Sequence, residues 1–421
     1  MTAPYPKSDG AWLDLVSGRR VYIETYGCRY NFGDSAKLIE VLKHAGSIMV
    51  SSPEEADAVV INTCTVVGPT ERRMLRRLAR FRDYTLLVTG CMPAVQAESI
   101  RKVCNPVFFD PASIREYYRQ VNTVSGNEPG IVQVAEGCLG TCTYCITRFA
   151  RGRLKSVPAF EIHSQIRAYA CSGSAEIQLT AQDVSAWGRD ASTRLPDLLR
   201  EAAGSLSRPS MLRVGMMNPA TVLDILDDLV DVFTMDRIFR FIHLPVQSGS
   251  DTVLARMERR YSVADYEEIV RAFRRRIPDI NLMTDMIVGF PKETADDFSE
   301  SLALIDRIRP GKVNVTRYSR RPLTPLTQKK DFPDSVKKDR SRLMQAHAER
   351  IYAAINRPMV EKTLPFVVTE VIRPGSVMAR SPNYLGIVIN EDLPVGTEGT
   401  ARLKTDRHYF FLGERITCNL P

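Results

Sequence analysis

Histidine is scarce in this chain of 421 residues: there are five, and none is close in sequence to its densest run of cysteines. A closed structural zinc site at that run would therefore lack a fourth Cys or His ligand. Long apolar runs are missing too, and without a stretch of about 18 apolar residues there is no candidate membrane-spanning helix. Met1 to Gly10 is polar and broken by Pro4 and Pro6, without the apolar core of an export signal. With no secretory cue, nine cysteines in a chain this long do not make a disulfide framework. These absences predict a cytoplasmic protein, with no membrane partner, whose thiols stay reduced. Acidic residues are in deficit, 49 against 57 basic ones, and the net charge of +8 favours a polyanion such as RNA over an acidic small molecule. The remainder, 44% hydrophobic and 25% charged, is ordinary for a globular chain of two or three domains.

What the chain does have is Cys138, Cys142 and Cys145 in the run Glu136-Gly-Cys-Leu-Gly-Thr-Cys-Thr-Tyr-Cys. Three thiolates, where an iron-sulfur cluster usually takes four, leave one iron open to a ligand that is not protein. With Tyr144 just before the third cysteine, the Cys-x3-Cys-x2-Cys spacing resembles the signature of the radical S-adenosylmethionine (SAM) enzymes. That resemblance implies a [4Fe-4S] cluster whose open iron binds SAM, and its reductive cleavage to a 5′-deoxyadenosyl radical.

Three textures follow one another along the chain. Residues 19–125 alternate strand-like runs at 21–25, 58–61 and 85–89 with helix-like runs at 35–44 and 71–81, the rhythm of a parallel α/β domain. Cys28, Cys64 and Cys91 follow those three strands, and the carboxyl ends of parallel strands are where sites collect. Their spacings of 36 and 27 residues form no local motif, so buried apolar cysteines fit the pattern as well as convergent ligands do. Residues 126–350 repeat the alternation in longer units, with candidate strands at 131–134, 175–179, 211–214, 241–244, 281–284 and 312–315, and predict a TIM-like (β/α)6 barrel. Polar or Gly-rich groups recur after these strands: Gln182 and Asp183, Asn218, His243 with Gln247 and Ser248, and Asp285 with Gly289. Their recurrence marks them, with Tyr144, as candidates for holding SAM. Residues 356–421 turn to short alternating runs at 364–372, 385–389, 399–403 and 409–412, separated by turn signals, and predict a small OB-like β-barrel of the kind that binds single-stranded RNA. With eight basic against seven acidic residues from Arg357 onwards, RNA binding there rests on particular residues and not on bulk charge.

Basic charge is concentrated elsewhere. Helical spacing over residues 71–82 puts Arg72, Arg76 and Arg80 in one row, with Arg73 and Arg77 beside them and Leu75, Leu78 and Phe81 turned to a core. The stripe suits phosphates, and a solvated helix face accounts for it equally well. The arginines within 271–276 and 317–321 carry the same two readings.

Together, Thr25-Tyr-Gly-Cys28-Arg-Tyr-Asn31-Phe-Gly-Asp34-Ser35, Asn62-Thr-Cys64, Gly90-Cys91-Met-Pro93, the 138–145 triplet and the run from His243 to Ser250 resemble the radical SAM methylthiotransferases, over nearly the whole chain and in that family's order. The resemblance implies an N-terminal domain whose Cys28, Cys64 and Cys91 hold an auxiliary [4Fe-4S] cluster, a radical SAM barrel with the second [4Fe-4S] cluster, and a C-terminal TRAM domain that contacts RNA. Cys104, Cys171 and Cys418 match no family motif and are read as structural. Residues 143–154, Met216-Met-Asn-Pro219 and residues 315–322 look like the archaeal and eukaryotic branch, which acts on N6-threonylcarbamoyladenosine next to the anticodon of tRNA. The isopentenyladenosine branch usually has Pro shortly after the third cluster cysteine, where this chain has Thr147-Arg148, and the branch that modifies an aspartate of a ribosomal protein differs around Cys28. An iron-sulfur electron-transfer protein with an RNA-binding tail is the remote alternative, and it would leave six barrel-like units without a purpose. Gln182 departs from the Glu of eukaryotic members, yet still offers a hydrogen bond to a ribose hydroxyl. The branch further implies SAM as both methyl donor and radical source, a monomer served by a ferredoxin or flavodoxin, and an anticodon stem-loop held at the barrel rim, with Arg317, Arg320 and Arg321 as candidate contacts.

Overall fold

The computed structural model describes residues 11–66, 68–121, 123–124 and 129–416, so Met1–Gly10 and Cys418 lie outside the described residues. By packing, the chain divides into two compact units. The first contains the described residues up to 124 together with Glu136–Arg153 and Ser319–Gln328; the second contains residues 129–135, Leu154–Tyr318 and the described residues from Lys329 onwards. The segment that carries the 138–145 cysteines thus packs with the first unit.

In the first unit β1 (Arg20–Thr25), β2 (Ile48–Val50), β3 (Ala58–Thr63), β4 (Thr85–Gly90) and β5 (Val107–Phe108) form a parallel sheet in the order β2-β1-β3-β4-β5. Four helices cover it: α1 (Arg29–His44), α2 (Gly68–Arg80), α3 (Cys91–Arg101) and α4 (Pro111–Val121). Every residue of β3 is buried, as a strand covered on both faces requires. Its alternation sends Ala58 and Val60 to one core with Leu38 and Leu42 of α1 and Ile114 of α4. Val59 and Ile61 go to the other, with Met74 and Leu78 of α2 and Ile100 of α3. A short helix, α5 (Thr147–Arg151), follows the cysteine triplet in the same unit.

The second unit begins with six parallel strands: β6 (Gly130–Gln133), β7 (Glu176–Thr180), β8 (Met211–Val214), β9 (Phe241–His243), β10 (Asn281–Val288) and β11 (Lys312–Arg317). They pair as β8-β7-β6 and β9-β10-β11, and parallel bridges at Leu212 with Ile238 and Met216 with His243 carry the sheet across the middle. Among the described residues no pairing joins β11 to β6, so the six strands form an open barrel in chain order. Helices α6 (Ala159–Cys171), α7 (Leu195–Gly204), α8 (Leu226–Val232), α9 (Val263–Arg276), α10 (Ala295–Ile308) and α11 (Asp334–Asn356) cover it. Capping boxes at Ser262 with Asp265 and Thr294 with Asp297 start α9 and α10. The C-terminal strands β12 (Thr363–Arg373), β13 (Ser376–Arg380), β14 (Gly386–Ile389), β15 (Glu398–Asp406) and β16 (Phe410–Arg415) close into a barrel ordered β12-β13-β14-β16-β15. Phe366, Val368, Ile387, Leu403 and Phe411 fill it. Tyr384 reaches the base of the larger barrel, its hydroxyl donating to buried Glu176 at 2.5 Å and its ring against Phe239 and Phe241.

Two expectations change. The strand expected at 281–284 runs on to Val288, with alternate residues buried, which puts Asp285 inside β10 and not beyond its end. The barrel strand β13 was not foreseen, because Ser376–Arg380 is short and carries one β-branched residue.

Candidate active site

Each cysteine of the first set emerges where a parallel strand of the first unit ends. Cys28 precedes α1, Cys64 directly follows β3, and Cys91 directly follows β4 as the first residue of α3. Cys28 is exposed, whereas Cys64 and Cys91 are buried. Two glycines permit the approach. Gly27 has φ +111°, and a Cβ there would fall 2.7 Å from Cys64 Cβ and 3.0 Å from its Sγ. Gly90 has φ +91°, and its Cβ would fall 2.4 Å from Asn62 Oδ1 and from the Thr63 carbonyl oxygen.

Asn31, 1% exposed, is the hub of these loops. Its Nδ2 donates to the carbonyls of Tyr26 at 2.8 Å and Thr63 at 2.9 Å. Its Oδ1 lies 3.9 Å from Cys91 Sγ and accepts from Arg151 Nη2 at 2.9 Å. Arg151 arrives from α5, six residues after Cys145, and its buried guanidinium also bonds Asp34 at 2.9 Å and Glu136 at 3.2 Å while lying over the Tyr30 ring. Arg115 bonds the same two carboxylates. Burial opposes charge on Arg151, yet Cys91, Asp34, Tyr30 and Glu136 hold it protonated well above its ordinary value.

The second set lies in a loop stitched by its own backbone. Cys138 N–H donates to the Gly152 carbonyl, Cys145 N–H donates to the Cys142 carbonyl at 3.2 Å, and Gly140 N–H donates to Cys138 Sγ at 3.2 Å. A Cβ on Gly140 would sit 3.3 Å from Cys138 Sγ and 3.6 Å from Cys142 Sγ, so two thiols flank one backbone space. Cys142 is buried; Cys138, Cys145 and Tyr144 are half-buried. Burial pushes the Cys145 thiol up, and the N–H groups of Arg148 and Thr147 act in the opposite direction.

These residues fit iron-sulfur ligation. Burial pushes the Cys64 thiol up to about 12 and raises Cys91, so thiolates in these positions call for compensating positive charge, which bound metal supplies. Among the described residues no three His, Cys, Asp or Glu converge tightly enough for a single metal ion. A cubane instead spreads its thiolates around the corners of a cluster.

The SAM candidates of the second unit form two groups. Asp183, 2% exposed, accepts from Ser185 Oγ at 2.6 Å, Thr221 Oγ1 at 2.8 Å and the Asn218 N–H at 3.1 Å; burial raises it despite those donors. Its oxygens are thus taken up in fixing the loop of half-buried Asn218, whose side chain caps the helix Pro219–Val222. Gln182, half-buried, precedes it. In the other group Asp285 Oδ1 lies 3.0 Å from His243 Nε2 and accepts from Asn314 Nδ2 at 2.7 Å. Gln247, at φ +73°, pairs its backbone with Asp285 and Ile287. Ser248 is fully buried, with Oγ accepting from Ser250 N–H and lying near Ser301 Oγ. Gly289 N–H donates to buried Glu293, which pairs with Arg340.

The arginines divide. Arg317 and Arg320 are exposed. Arg321 is 3% exposed and pairs with Glu71, with Thr65 and Gln96 at 3.3 and 3.4 Å, so its charge is neutralised inside the first unit. In the 71–82 stripe, Arg77 pairs with Glu24 and Arg73 lies over Tyr26. Asn31, Asp34 and Arg151 were visible only as parts of motifs, and Asn314 carried no signal beyond its place on a barrel strand. Cys104 is buried among apolar residues of the first unit and Cys171 is exposed. No helix among the described residues is long and apolar enough to cross a membrane.

Comparison with known proteins defines the class first. Residues 132–305 match the Radical SAM superfamily, and residues 20–109 match a family described only as uncharacterized protein family UPF0004. The cobalamin-dependent S-adenosylmethionine radical enzyme OxsB shares the fold, with TM-score 0.50 at 12% identity over 82% of this chain and 58% of that one. A probable threonylcarbamoyladenosine tRNA methylthiotransferase of Pyrococcus horikoshii is 38% identical over 94% of this chain and 100% of its own length. One from Methanothermobacter thermautotrophicus is 35% identical over 90% and 96%. The threonylcarbamoyladenosine tRNA methylthiotransferase of Danio rerio is 32% identical over 79% and 67%. The chain belongs to this family of radical SAM threonylcarbamoyladenosine tRNA methylthiotransferases.

Proposed function

We propose that this protein attaches a methylthio group to carbon 2 of N6-threonylcarbamoyladenosine at position 37 of tRNA, with SAM as methyl donor and as radical source. The observation that carries this reading is the presence, in one compact unit, of two separate cysteine triplets, each one thiolate short of a complete cluster. The relatives' names favour threonylcarbamoyladenosine over isopentenyladenosine or a ribosomal-protein aspartate.

When bound, the two clusters and SAM supply sulfur, a methyl group and radical chemistry for an unactivated aromatic C–H bond that no protein acid or base deprotonates usefully at neutral pH. Cys28, Cys64 and Cys91 hold one cluster, and Cys138, Cys142 and Cys145 the other. Asn31 keeps the first set in register through the Tyr26 and Thr63 carbonyls. Asp183 fixes the Asn218 loop, while His243, Asp285 and Asn314 present linked donors and acceptors to the polar groups of SAM, with Gln182, Gln247, Ser248 and Gly289 on the loops that follow these strands and Tyr144 in the loop of the second cysteine set. Arg317 and Arg320 are the exposed candidates for the anticodon stem-loop, whose target base must leave its stack to react. Arg321, already paired in a buried site, contributes to the fold of its segment. A cytoplasmic monomer reduced by a ferredoxin or flavodoxin completes the reading.

Mass spectrometry of tRNA nucleosides from cells with and without the protein tests it. The 2-methylthio derivative of threonylcarbamoyladenosine is expected only with the protein present; unchanged nucleosides would refute the assignment.

A further inference from the structure

Arg151 is a heavily engaged buried cation of the first unit, and no role in binding SAM or RNA accounts for it. Its side chain is 2% exposed, its guanidinium meets Asn31, Asp34 and Glu136, and its ring neighbour is Tyr30. It belongs to α5, which follows Cys145, yet through Asn31 Oδ1 it stands one hydrogen-bonded step from Cys91 Sγ. It therefore ties the loop of one cysteine triplet to the hub of the other. Charges around it are balanced by residue: Arg151 and Arg115 against Asp34 and Glu136.

Resting on the reading of Cys28, Cys64 and Cys91 as ligands of an auxiliary cluster, we propose that Arg151 is a positioning residue that sets the reduction potential of that cluster, holding it up by placing a buried positive charge beside Cys91. A reduced cluster carries one more negative charge than the oxidised one, and a fixed cation at low dielectric favours the more negative form. Asp34 opposes this, because its carboxylate accepts from the same Arg151 Nη2 that bonds Asn31 Oδ1 and so offsets the positive charge where it faces Cys91. Removing Arg151 must lower the potential, and removing the charge of Asp34 must raise it. A residue that merely held the fold would not give shifts of opposite sign.

The test uses the full chain with Cys138, Cys142 and Cys145 replaced by Ala, loaded anaerobically with iron and sulfide so that only the auxiliary site can fill. If this background binds no iron, the auxiliary-site reading falls and the inference with it. If iron is bound, a redox titration followed by electron paramagnetic resonance should place R151M at a more negative potential than the background, D34N at a more positive one, and R151K closer to the background than R151M. Unchanged potentials in both R151M and D34N overturn the inference and leave the auxiliary site standing. Should R151M fail to fold, D34N decides alone, and a negative or absent shift overturns it.

Discussion

In both units candidate groups gather towards the carboxyl ends of parallel strands, but with different chemistry. In the first, β1, β3 and β4 lead into thiols; in the second, β7, β9 and β10 carry or lead into carboxylates, an amide and an imidazole. Thiols make weak hydrogen bonds, so little in the bare chain holds them together except close backbone approach at Gly27 and Gly90 and the amide of Asn31. The polar groups of the second unit hold one another, as Asp285 does with His243 and Asn314. One set is thus shaped for a metal that supplies its own binding energy, the other for an organic ligand that must compete for hydrogen bonds already formed.

The largest expected effect breaks the first set. Cys28→Ala should take the methylthiolated nucleoside below detection, and turnover surviving that change would remove Cys28 from the ligands. Next, Gly90→Ala should cost about 3 kcal/mol in chemical unfolding, since the added Cβ meets Asn62 and backbone at a positive φ. Gly152, at φ +75° with open space around its missing Cβ, should lose only about 1 kcal/mol on the same change. Equal losses at the two sites would mean that close packing around the thiols is not what Gly90 provides. In the second unit, Asp285→Ala should raise the KM for SAM about tenfold, the worth of one hydrogen-bonded group, with bound iron unchanged.

Smaller effects separate charge from metal. Burial alone would raise the Glu24 carboxyl, but Arg77, Tyr26 and Tyr22 hold it below its ordinary value. The stability it confers is complete above about pH 4.3 and is lost as pH falls through the lowered value. Glu24→Gln should therefore cost about 2 kcal/mol at neutral pH and flatten that acid limb of the melting-temperature profile. An unchanged limb would deny the ion pair its part. A comparably small effect is Cys104→Ser, at about 1 kcal/mol with iron unchanged, because this thiol packs among apolar residues and its S–H donates to the Ile100 carbonyl.

Both parallel sheets and the terminal barrel were legible from periodicity, because a strand covered on both faces, such as β3, shows as an unbroken apolar run. Boundaries were less so. The polar Asp285 looked like the start of a loop, although in an open barrel the inward face of a strand carries ligand groups without ending the strand. Cysteine spacing alone could not bring Cys28, Cys64 and Cys91 together; strand order did that, and strand order is a property of the whole sheet. Arg321 and Arg151 were hidden for one reason. Sequence does not show that a cation is buried, because that burial depends on carboxylates far away in sequence, Glu71 for Arg321 and Asp34 for Arg151.

Iron and acid-labile sulfide, counted per chain after anaerobic loading, test the two-triplet account most directly. The wild-type chain should bind about eight irons, and the variants with Cys28, Cys64 and Cys91 or with Cys138, Cys142 and Cys145 replaced by Ala should each bind half as many. Either variant retaining the full complement would contradict it.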